Sequence, residues 1–248
     1  ATTVIGYAEA LIGAANAALA QEAAPGRVRL AQGMRIDYQP RVWYNPELES
    51  TQFLVPGLIG FILMLTGVLS TALAVVREKE RGTIEQLRVT SLRPGELIVG
   101  KTVPYLIISL IATFLILVVA QVLFGVSVRG PYLDLFVATV IYLVGALGFG
   151  LFVSSVAESQ AMAFQMGLFA SMLPALFLSG FIFPIRSMPL AVQAITYAVP
   201  ARYFNVILRG VILKGAGLGP YWKDLAFLVV YASVMLGVAY ARLTRKEA

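Results

Sequence analysis

Hydrophobic residues are concentrated in five long runs along this chain, at residues 53–76, 102–124, 132–157, 159–185 and 221–241. Each run is close to the ~20 residues that a helix needs to cross a hydrocarbon core of about 30 Å. The last and shortest run has Tyr221 and Trp222 at one end and Tyr240 near the other, as aromatic side chains at membrane interfaces do. The pattern predicts an α-helical polytopic membrane protein whose transmembrane domain occupies residues 53–248.

The first 52 residues lack such a run and are expected to lie outside the bilayer. Residues 8–22 are rich in Ala and predict a helix, which Pro25 and Gly26 end. Residues 27–30 and 34–38 alternate polar with apolar positions, a pattern typical of half-buried strands. This region therefore predicts part of a small α+β extracytoplasmic domain. Because the sequence starts at Ala1 without an initiator Met, we expect that the start of the native protein is missing.

A charged segment, residues 77–101, follows the first run. Thr83 with Gln86 three residues later forms a capping box, which predicts a short helix over about 83–93 that ends near Pro94. A helix this short is not stable alone and must dock on something. Two interpretations remain open: a solvated helix at the membrane surface, or a docking site for a cytoplasmic partner.

Residues 186–220, between the fourth and fifth runs, are partly apolar but interrupted by Pro189, Pro200, Arg202 and Arg209. These pieces are too short and too charged to cross the bilayer, so they predict two short helices in a re-entrant loop whose backbone is buried in protein or lines a cavity. Since the two arginines are two helical turns apart, they share a face. An apolar collar beneath them is predicted to form an extracytoplasmic gate, made by Phe183, Tyr197, Tyr203 and Phe204.

Within the runs, two further features predict local structure. Pro174 is expected to kink the fourth span. Gly145, Gly148 and Gly150 lie in the third span, where they allow another helix to approach closely.

Composition agrees with a membrane protein and narrows the chemistry. The chain of 248 residues is 59% hydrophobic and only 13% charged. It contains no Cys and no His, which excludes disulfides, the usual zinc, haem and iron–sulfur ligands, and every His-dependent catalytic arrangement. The net charge of +6 is typical of loops near anionic lipid rather than of nucleic-acid binding.

The distribution of basic residues predicts an orientation. Six Lys and Arg residues lie between the first two runs and three follow the last run, all close to membrane ends. The positive-inside rule gives most weight to such positions. We therefore expect residues 77–101 and the C-terminus to be cytoplasmic, and the N-terminal part to be extracytoplasmic.

Residues 95–102 match the phosphate-loop pattern G-x-x-x-x-G-K-T. A phosphate loop follows a buried strand and opens the helix of a soluble βα unit. Here the pattern follows a proline and continues directly into a membrane span, and its intervening residues are bulky and apolar. We interpret the match as accidental and predict no nucleotide site in this chain.

A polytopic membrane protein of this kind is typical of transporters, but the sequence shows no group that would supply the energy for transport. Asp134, at the mouth of the third span, is the only acidic residue near a span interior, and no repeat of broken helices is visible. A transporter without an ion-coupling acid or a nucleotide site needs a driving force from another chain. The alternatives are a stand-alone secondary transporter and, less favoured by the lack of His, a membrane-embedded enzyme.

The charged segment carries a resemblance. Residues 76–87, VREKERGTIEQL, are similar to the coupling segment of bacterial ATP-binding-cassette type-2 export permeases, the multidrug-efflux group. Three more stretches resemble the same family: PRVWYNPE at 40–47, SGFIFP at 179–184 and YFNVILRG at 203–210. The resemblance extends over essentially all of residues 1–248.

The resemblance implies a permease of the bacterial inner membrane that is not itself an enzyme and moves a drug-like or lipid amphiphile outward. It implies one span more than this chain shows, before a large extracytoplasmic domain. The implied partners are a cytoplasmic ATPase subunit that holds ATP and Mg, a second permease copy or paralogue, and membrane lipid, without nucleic acid or a cofactor in this chain. The residues implied to contact the ATPase are Glu78, Glu80, Arg81, Gly82, Thr83, Glu85, Gln86 and Leu87.

Overall fold

The structure is a computed structural model that describes residues 2–22, 50–82 and 94–245. The chain divides into two units, Ala1–Ser50 and Thr51–Ala248. The first unit contributes one described helix, α1 (Thr2–Glu22), on which Tyr7 and Leu11 are exposed. The helix that the Ala-rich stretch predicts is therefore present and begins earlier, at Thr2.

The expected α+β character of the N-terminal domain is not supported. Every element in the described part of the chain is helical, and no strand occurs there. The two predicted strands, at 27–30 and 34–38, lie outside the described residues.

The second unit consists of long helices joined by short connections. These are α2 (Ser50–Glu80), α3 (Pro94–Phe124), α4 (Tyr132–Val156), α5 (Gln160–Leu173), α6 (Leu190–Thr196), α7 (Pro200–Lys214) and α8 (Trp222–Arg245). One π-helical turn, Pro174–Leu178, continues α5, and two 3₁₀ turns lie at Ile185–Ser187 and Gly219–Tyr221. Two helices, α6 and α7, occupy the segment for which the sequence predicts two, and Pro200 is the first residue of α7.

Among the residues that the structure describes, five helices are long and apolar enough to cross a membrane. They are α2, α3, α4, α5 with its π turn, and α8, which confirms the five spans predicted from the hydrophobic runs. In the most apolar stretch of each span, about 56% of α2 and 61% of α4 is buried inside the protein. The corresponding share is 17–22% for the other three spans. The centre of the unit is therefore the pair α2 and α4, with the remaining spans around it.

Small residues hold α2 and α4 at close range. The hydroxyl of Thr71 on α2 donates to the carbonyl of Leu147 on α4, at 3.1 Å. A Cβ atom added to Gly150 would lie 1.9 Å from that hydroxyl oxygen and 2.4 Å from the carbonyl oxygen of Val68. Only glycine fits at this point of contact, so α2 and α4 are tightly packed along this contact.

The other two glycines of α4 face α8. A Cβ atom at Gly145 would lie 2.9 Å from the Tyr231 ring, and one at Gly148 would lie 3.2 Å from Met235. The close approach of helices predicted at the α4 glycines is thus confirmed, on two different sides of α4. Pro174 also acts locally, because regular α-helix ends at Leu173 and a π-helical turn follows.

Candidate coupling site

The charged end of α2, residues 77–80, makes polar contacts with three other helices. It is the last turn of a 31-residue helix and carries Arg77, Glu78, Lys79 and Glu80. The turn after it, through Gly82 with φ 71°, begins the segment for which the resemblance implies a partner. Each of these four side chains contacts another helix.

Glu78 joins α2 to α3. Its carboxylate forms a salt bridge with the ammonium group of Lys101, and the two side chains are 34% and 18% exposed. This partial burial removes some of the solvent screening that weakens surface ion pairs. The contact fixes the start of the α3 span beside the end of α2.

Lys79 joins α2 to the C-terminus of α4. Its ammonium group donates to the carbonyl oxygen of Ser154 and lies 3.4 Å from that of Ala157. The last carbonyls of a helix have no partner within the helix, and the helix dipole places partial negative charge there. A lysine at this position therefore caps α4 and ties it to α2.

Glu80 joins α2 to the N-terminus of α5. Its carboxylate accepts a hydrogen bond from the backbone N–H of Gln160, at 2.7 Å, and another from the Gln160 side-chain amide. Arg77 adds a third contact, because its Nε donates to the Gln160 side-chain oxygen at 3.3 Å. A carboxylate at a helix N-terminus meets unpaired N–H groups and the positive end of the dipole.

The turn between α4 and α5 is thus held from both sides by neighbouring residues of opposite charge. Lys79 binds the carbonyl groups at the C-terminus of α4, and Glu80 binds the N–H group at the N-terminus of α5. Glu158 lies exposed in this turn, and Ser159 caps α5 by accepting a hydrogen bond from the N–H of Met162, at 3.2 Å. Any displacement of the charged end of α2 therefore acts on α3, α4 and α5 together.

The residues implied to contact an ATPase are only partly described. Glu78 and Glu80 are engaged within the chain, while Arg81 and Gly82 are exposed in the turn that follows α2. The predicted helix over 83–93 lies outside the described residues, and with it Thr83, Glu85, Gln86 and Leu87. Their role stays a prediction.

The segment that matches the phosphate-loop pattern is helical. Residues 95–102 form the first turns of α3, which begins at Pro94. A phosphate loop binds its ligand with backbone N–H groups of an open loop, whereas N–H groups beyond the first turn of a helix are bonded within it. Lys101 points to Glu78 instead. No group of acidic side chains suited to a metal ion occurs within the described ranges.

The residues of the predicted gate occupy different surroundings. Tyr197 and Tyr203 are in contact, because the Tyr203 hydroxyl donates to the Tyr197 carbonyl at 2.9 Å. The Arg202 guanidinium lies 3.9 Å from the centre of the Tyr197 ring. Phe204 is instead fully buried and stacks on Tyr142 of α4, with ring centres 4.1 Å apart.

Phe183, the fourth gate residue, is 56% exposed in the connection after α5. The structure therefore brings two of the four side chains together, turns a third into the core and leaves the fourth exposed. The gate stays a prediction. Since consecutive residues on a helix are about 100° apart, Tyr203 and Phe204 face different neighbours.

Arg209 lies two helical turns beyond Arg202 on α7. Its guanidinium donates to the carbonyls of Phe53, at 3.3 Å, and Gly180, at 3.0 Å, and its Cζ lies 3.8 Å from the centre of the Phe53 ring. Burial lowers the pKa of Arg209 to about 10, which leaves it positively charged at neutral pH. Arg209 therefore connects α7 with the first turn of α2 and with the turn after α5.

Comparison with known proteins agrees with this architecture. Residues 2–241 match the family described as ABC-2 family transporter protein. The chain belongs to this family. The match covers both units and all five spans, so the charged end of α2 is that of an ABC-2 transporter chain.

Several relatives of this ABC-2 chain are bacterial permeases. The chain is 37% identical over 211 residues to the Probable multidrug ABC transporter permease YbhS of Escherichia coli, covering 85% of this chain and 56% of that relative. It is 36% identical over 206 residues to the Probable multidrug ABC transporter permease YbhR of the same organism, covering 83% and 56%. It is 30% identical over 212 residues to the Inner membrane transport permease YhhJ, covering 84% and 55%. The chain thus spans about half the length of these relatives.

Sequence reasoning missed four members of the coupling site: Arg77, Lys79, Lys101 and Gln160. Lys101 is the lysine of the phosphate-loop match at 95–102, and Gln160 lies at the start of the fourth hydrophobic run. One available signal was the Glu-Lys-Glu run at the end of a long helix, which contains both charges needed to cap two opposed helix ends.

Proposed function

We propose that this chain is the membrane-spanning permease subunit of an ATP-binding-cassette exporter in the bacterial inner membrane. It moves a drug-like or lipid amphiphile outward with energy from ATP that a partner subunit hydrolyses. The observation that carries the proposal is the charged end of α2, which in a chain of the ABC-2 family contacts three other spans at once. The names of the bacterial relatives support the same function.

In this proposal the charged end of α2 and the C-terminus face the cytoplasm, and the N-terminal unit is extracytoplasmic. The ATPase subunit binds the segment after Glu80, including Thr83, Glu85, Gln86 and Leu87. Closure of the ATPase subunits displaces that segment, and the contacts of Glu78, Lys79 and Glu80 carry the displacement to α3, α4 and α5 as rigid-body movement. ATP and Mg are held by the ATPase, and this chain supplies no cofactor site.

The dimer required by such an assembly pairs this chain with a second copy or a paralogue. The lipid-facing surface of the complex is supplied by the less buried spans, in which large apolar side chains such as Ile111, Phe114 and Val230 are exposed. Exposed apolar surface of this extent is stable only in lipid or against another apolar surface.

Purification of the intact complex from native membranes tests the proposal. We expect a co-purifying subunit with ATPase activity that amphiphiles stimulate, and ATP-dependent movement of a fluorescent amphiphile into inverted vesicles. Vanadate, which inhibits ATP-binding-cassette ATPases, is expected to stop both. Transport that follows an ion gradient and continues without ATP would show that the chain is a secondary transporter instead.

A further inference from the structure

The start of α2 is held by a second polar contact, distant along the helix from its charged end. Arg209 of α7 donates to the carbonyl of Phe53 on α2 and to the carbonyl of Gly180, the residue with φ 76° in the turn after α5. One guanidinium group therefore bridges two spans. We name this contact, with Asn205 and Ser179, the Arg209 junction.

Asn205 strengthens the junction from the preceding turn of α7. It is 1% exposed, and its side-chain N–H group donates to the hydroxyl of Ser179 at 3.1 Å. Ser179 in turn donates to the carbonyl of Ala175 in the π-helical turn. Because Asn205 and Arg209 are one turn apart, both face the same side of α7.

Two glycines of α2 make room for these side chains. A Cβ atom at Gly57 would lie 2.4 Å from the Phe181 ring and 3.2 Å from the Arg209 guanidinium. A Cβ atom at Gly60 would lie 2.2 Å from the side-chain oxygen of Asn205. The surface of α2 is thus shaped to receive α7 and the turn after α5.

The junction is polar but incompletely bonded. Of the four buried side-chain polar atoms without a hydrogen-bond partner in the described part of the chain, two belong here, Arg209 Nε and Asn205 Oδ1. A partly satisfied polar network is less stable than a fully satisfied one. Such a contact can separate more readily than tightly packed apolar side chains, since water can bond the same groups once they are exposed.

We propose that Arg209, supported by Asn205, is a positioning residue that holds α2 and α5 together at the extracytoplasmic side, and that transport requires this junction to open. The proposal rests on the exporter function proposed above. The helix α2 has 31 residues, or roughly 45 Å at 1.5 Å per residue, and links the two sites. The charged end and the junction therefore lie on one continuous helix, which contains Pro56 three residues after Phe53.

Accessibility of a buried reporter cysteine tests this directly, because the chain contains no Cys. Ala175 is 2% exposed, lies beside the junction and differs from cysteine by one sulfur atom. The full-length protein carrying Ala175→Cys, in complex with its ATPase in native membranes, is treated with a membrane-impermeant thiol reagent. We expect slow labelling without nucleotide and faster labelling when ATP with vanadate traps the complex.

The deciding variant is Arg209→Gln in the reporter protein, without nucleotide. We expect labelling to be about tenfold faster or more. Loss of one charge-assisted hydrogen bond raises the fraction of molecules with an open junction by about this factor, and only the open molecules react. Arg209→Lys, which keeps the charge, is expected to restore slow labelling in part. Arg202→Gln is the matched control, because it is the same substitution on the same helix. The partners of Arg202 are Tyr197 and Thr196, which lie just before α7 and outside the junction. Slow labelling is therefore expected for this variant.

Slow labelling of Arg209→Gln, with an unchanged unfolding temperature, would overturn the proposal, as would equally fast labelling of Arg202→Gln. If Arg209→Gln does not accumulate in the membrane, Asn205→Ala is expected to give the same acceleration, and its failure to do so counts against the junction. Because these comparisons need no ATP, they stand even if the exporter function is wrong. Failure of the exporter function would appear separately, as the absence of a co-purifying ATPase and of ATP-dependent transport. In a complex that does transport, an Ala175→Cys parent whose labelling is not faster with ATP and vanadate would overturn the opening of the junction.

Discussion

The carboxylate of Glu80 binds Gln160 twice, through the backbone N–H at 2.7 Å and through the side-chain amide, although the two residues are 80 positions apart. Glu80 is the last residue of α2 and Gln160 the first of α5. The contact therefore joins two spans end to end, at the position where the family resemblance implies that the ATPase partner binds. Glu80 is suited to pass movement from that partner to α5.

Reversal of this charge is expected to uncouple transport from ATP hydrolysis. In Glu80→Lys an ammonium group faces the unpaired N–H groups at the N-terminus of α5, where positive charge is unfavourable. We expect amphiphile transport to fall by on the order of tenfold while ATP hydrolysis continues, measured together on the purified complex. Glu80→Gln keeps an oxygen that accepts from Gln160 and is expected to transport nearly normally. Normal transport by Glu80→Lys would contradict this role.

The Glu78–Lys101 salt bridge predicts a result specific to charge pairing. Lys101→Ala is expected to lower the free energy of unfolding by about 1 kcal/mol, because it leaves a partly buried carboxylate without its partner. The exchanged pair Glu78→Lys with Lys101→Glu is expected to recover most of this loss, measured by thermal unfolding in detergent. Nucleotide affinity of the complex should be unchanged in Lys101→Ala. A loss of affinity traceable to this chain would show that residues 95–102 bind nucleotide.

Gly150 is predicted to be intolerant of even one added carbon. Gly150→Ala places a Cβ atom against Thr71 and the backbone of Val68, so α2 and α4 must separate. Such overpacking lowers the free energy of unfolding by about 1–3 kcal/mol. The same change at Gly237 of α8 meets nothing within 4 Å and is expected to leave the unfolding temperature unchanged or slightly raised. Equal effects at the two positions would mean that the α2–α4 contact is looser than described.

Substitutions at two of the predicted gate residues, Phe204 and Tyr197, are expected to differ in their effect on stability. Phe204→Ala removes a fully buried ring that stacks on Tyr142, and is expected to lower the free energy of unfolding by about 3–5 kcal/mol. Tyr197→Ala removes a ring that is 58% exposed and lies against the Arg202 guanidinium, so its effect on stability is expected to be about 1 kcal/mol or less. If Tyr197 belongs to a gate, this stable variant shows altered transport. Thermal unfolding and transport assays on both variants test the distinction.

The orientation of the chain in the membrane can be tested at two exposed positions that lie at opposite ends of the spans. A cysteine at Tyr197 is expected to react with an impermeant thiol reagent in spheroplasts, and a cysteine at Glu158 only in inverted vesicles. Both residues are exposed in connections between helices, so the substitutions disturb no core contact. The reverse pattern of labelling would place the charged end of α2 outside the cell and contradict the proposed contact with a cytoplasmic ATPase.

Local chemistry explains why the sequence predicts the helices well. Runs of apolar residues must be helical in lipid, because each backbone group needs a partner within its own segment. Prolines then mark boundaries: α3 begins at Pro94 and α7 at Pro200, where a missing N–H group has no consequence. The α4 glycines likewise indicate close contacts, although not which helix makes each one. The strands predicted at 27–30 and 34–38 lie outside the described residues and stay a prediction.

The partners of polar side chains, in contrast, depend on how the helices are arranged. The sequence shows a run of charges at residues 77–80, but neighbouring residues on a helix point about 100° apart. Glu78, Lys79 and Glu80 therefore face α3, α4 and α5 in turn, and each finds its partner only after the spans have packed. Arg209 meets Phe53 and Gly180 for the same reason, since residues 156 and 29 positions away in sequence become neighbours only in the folded unit.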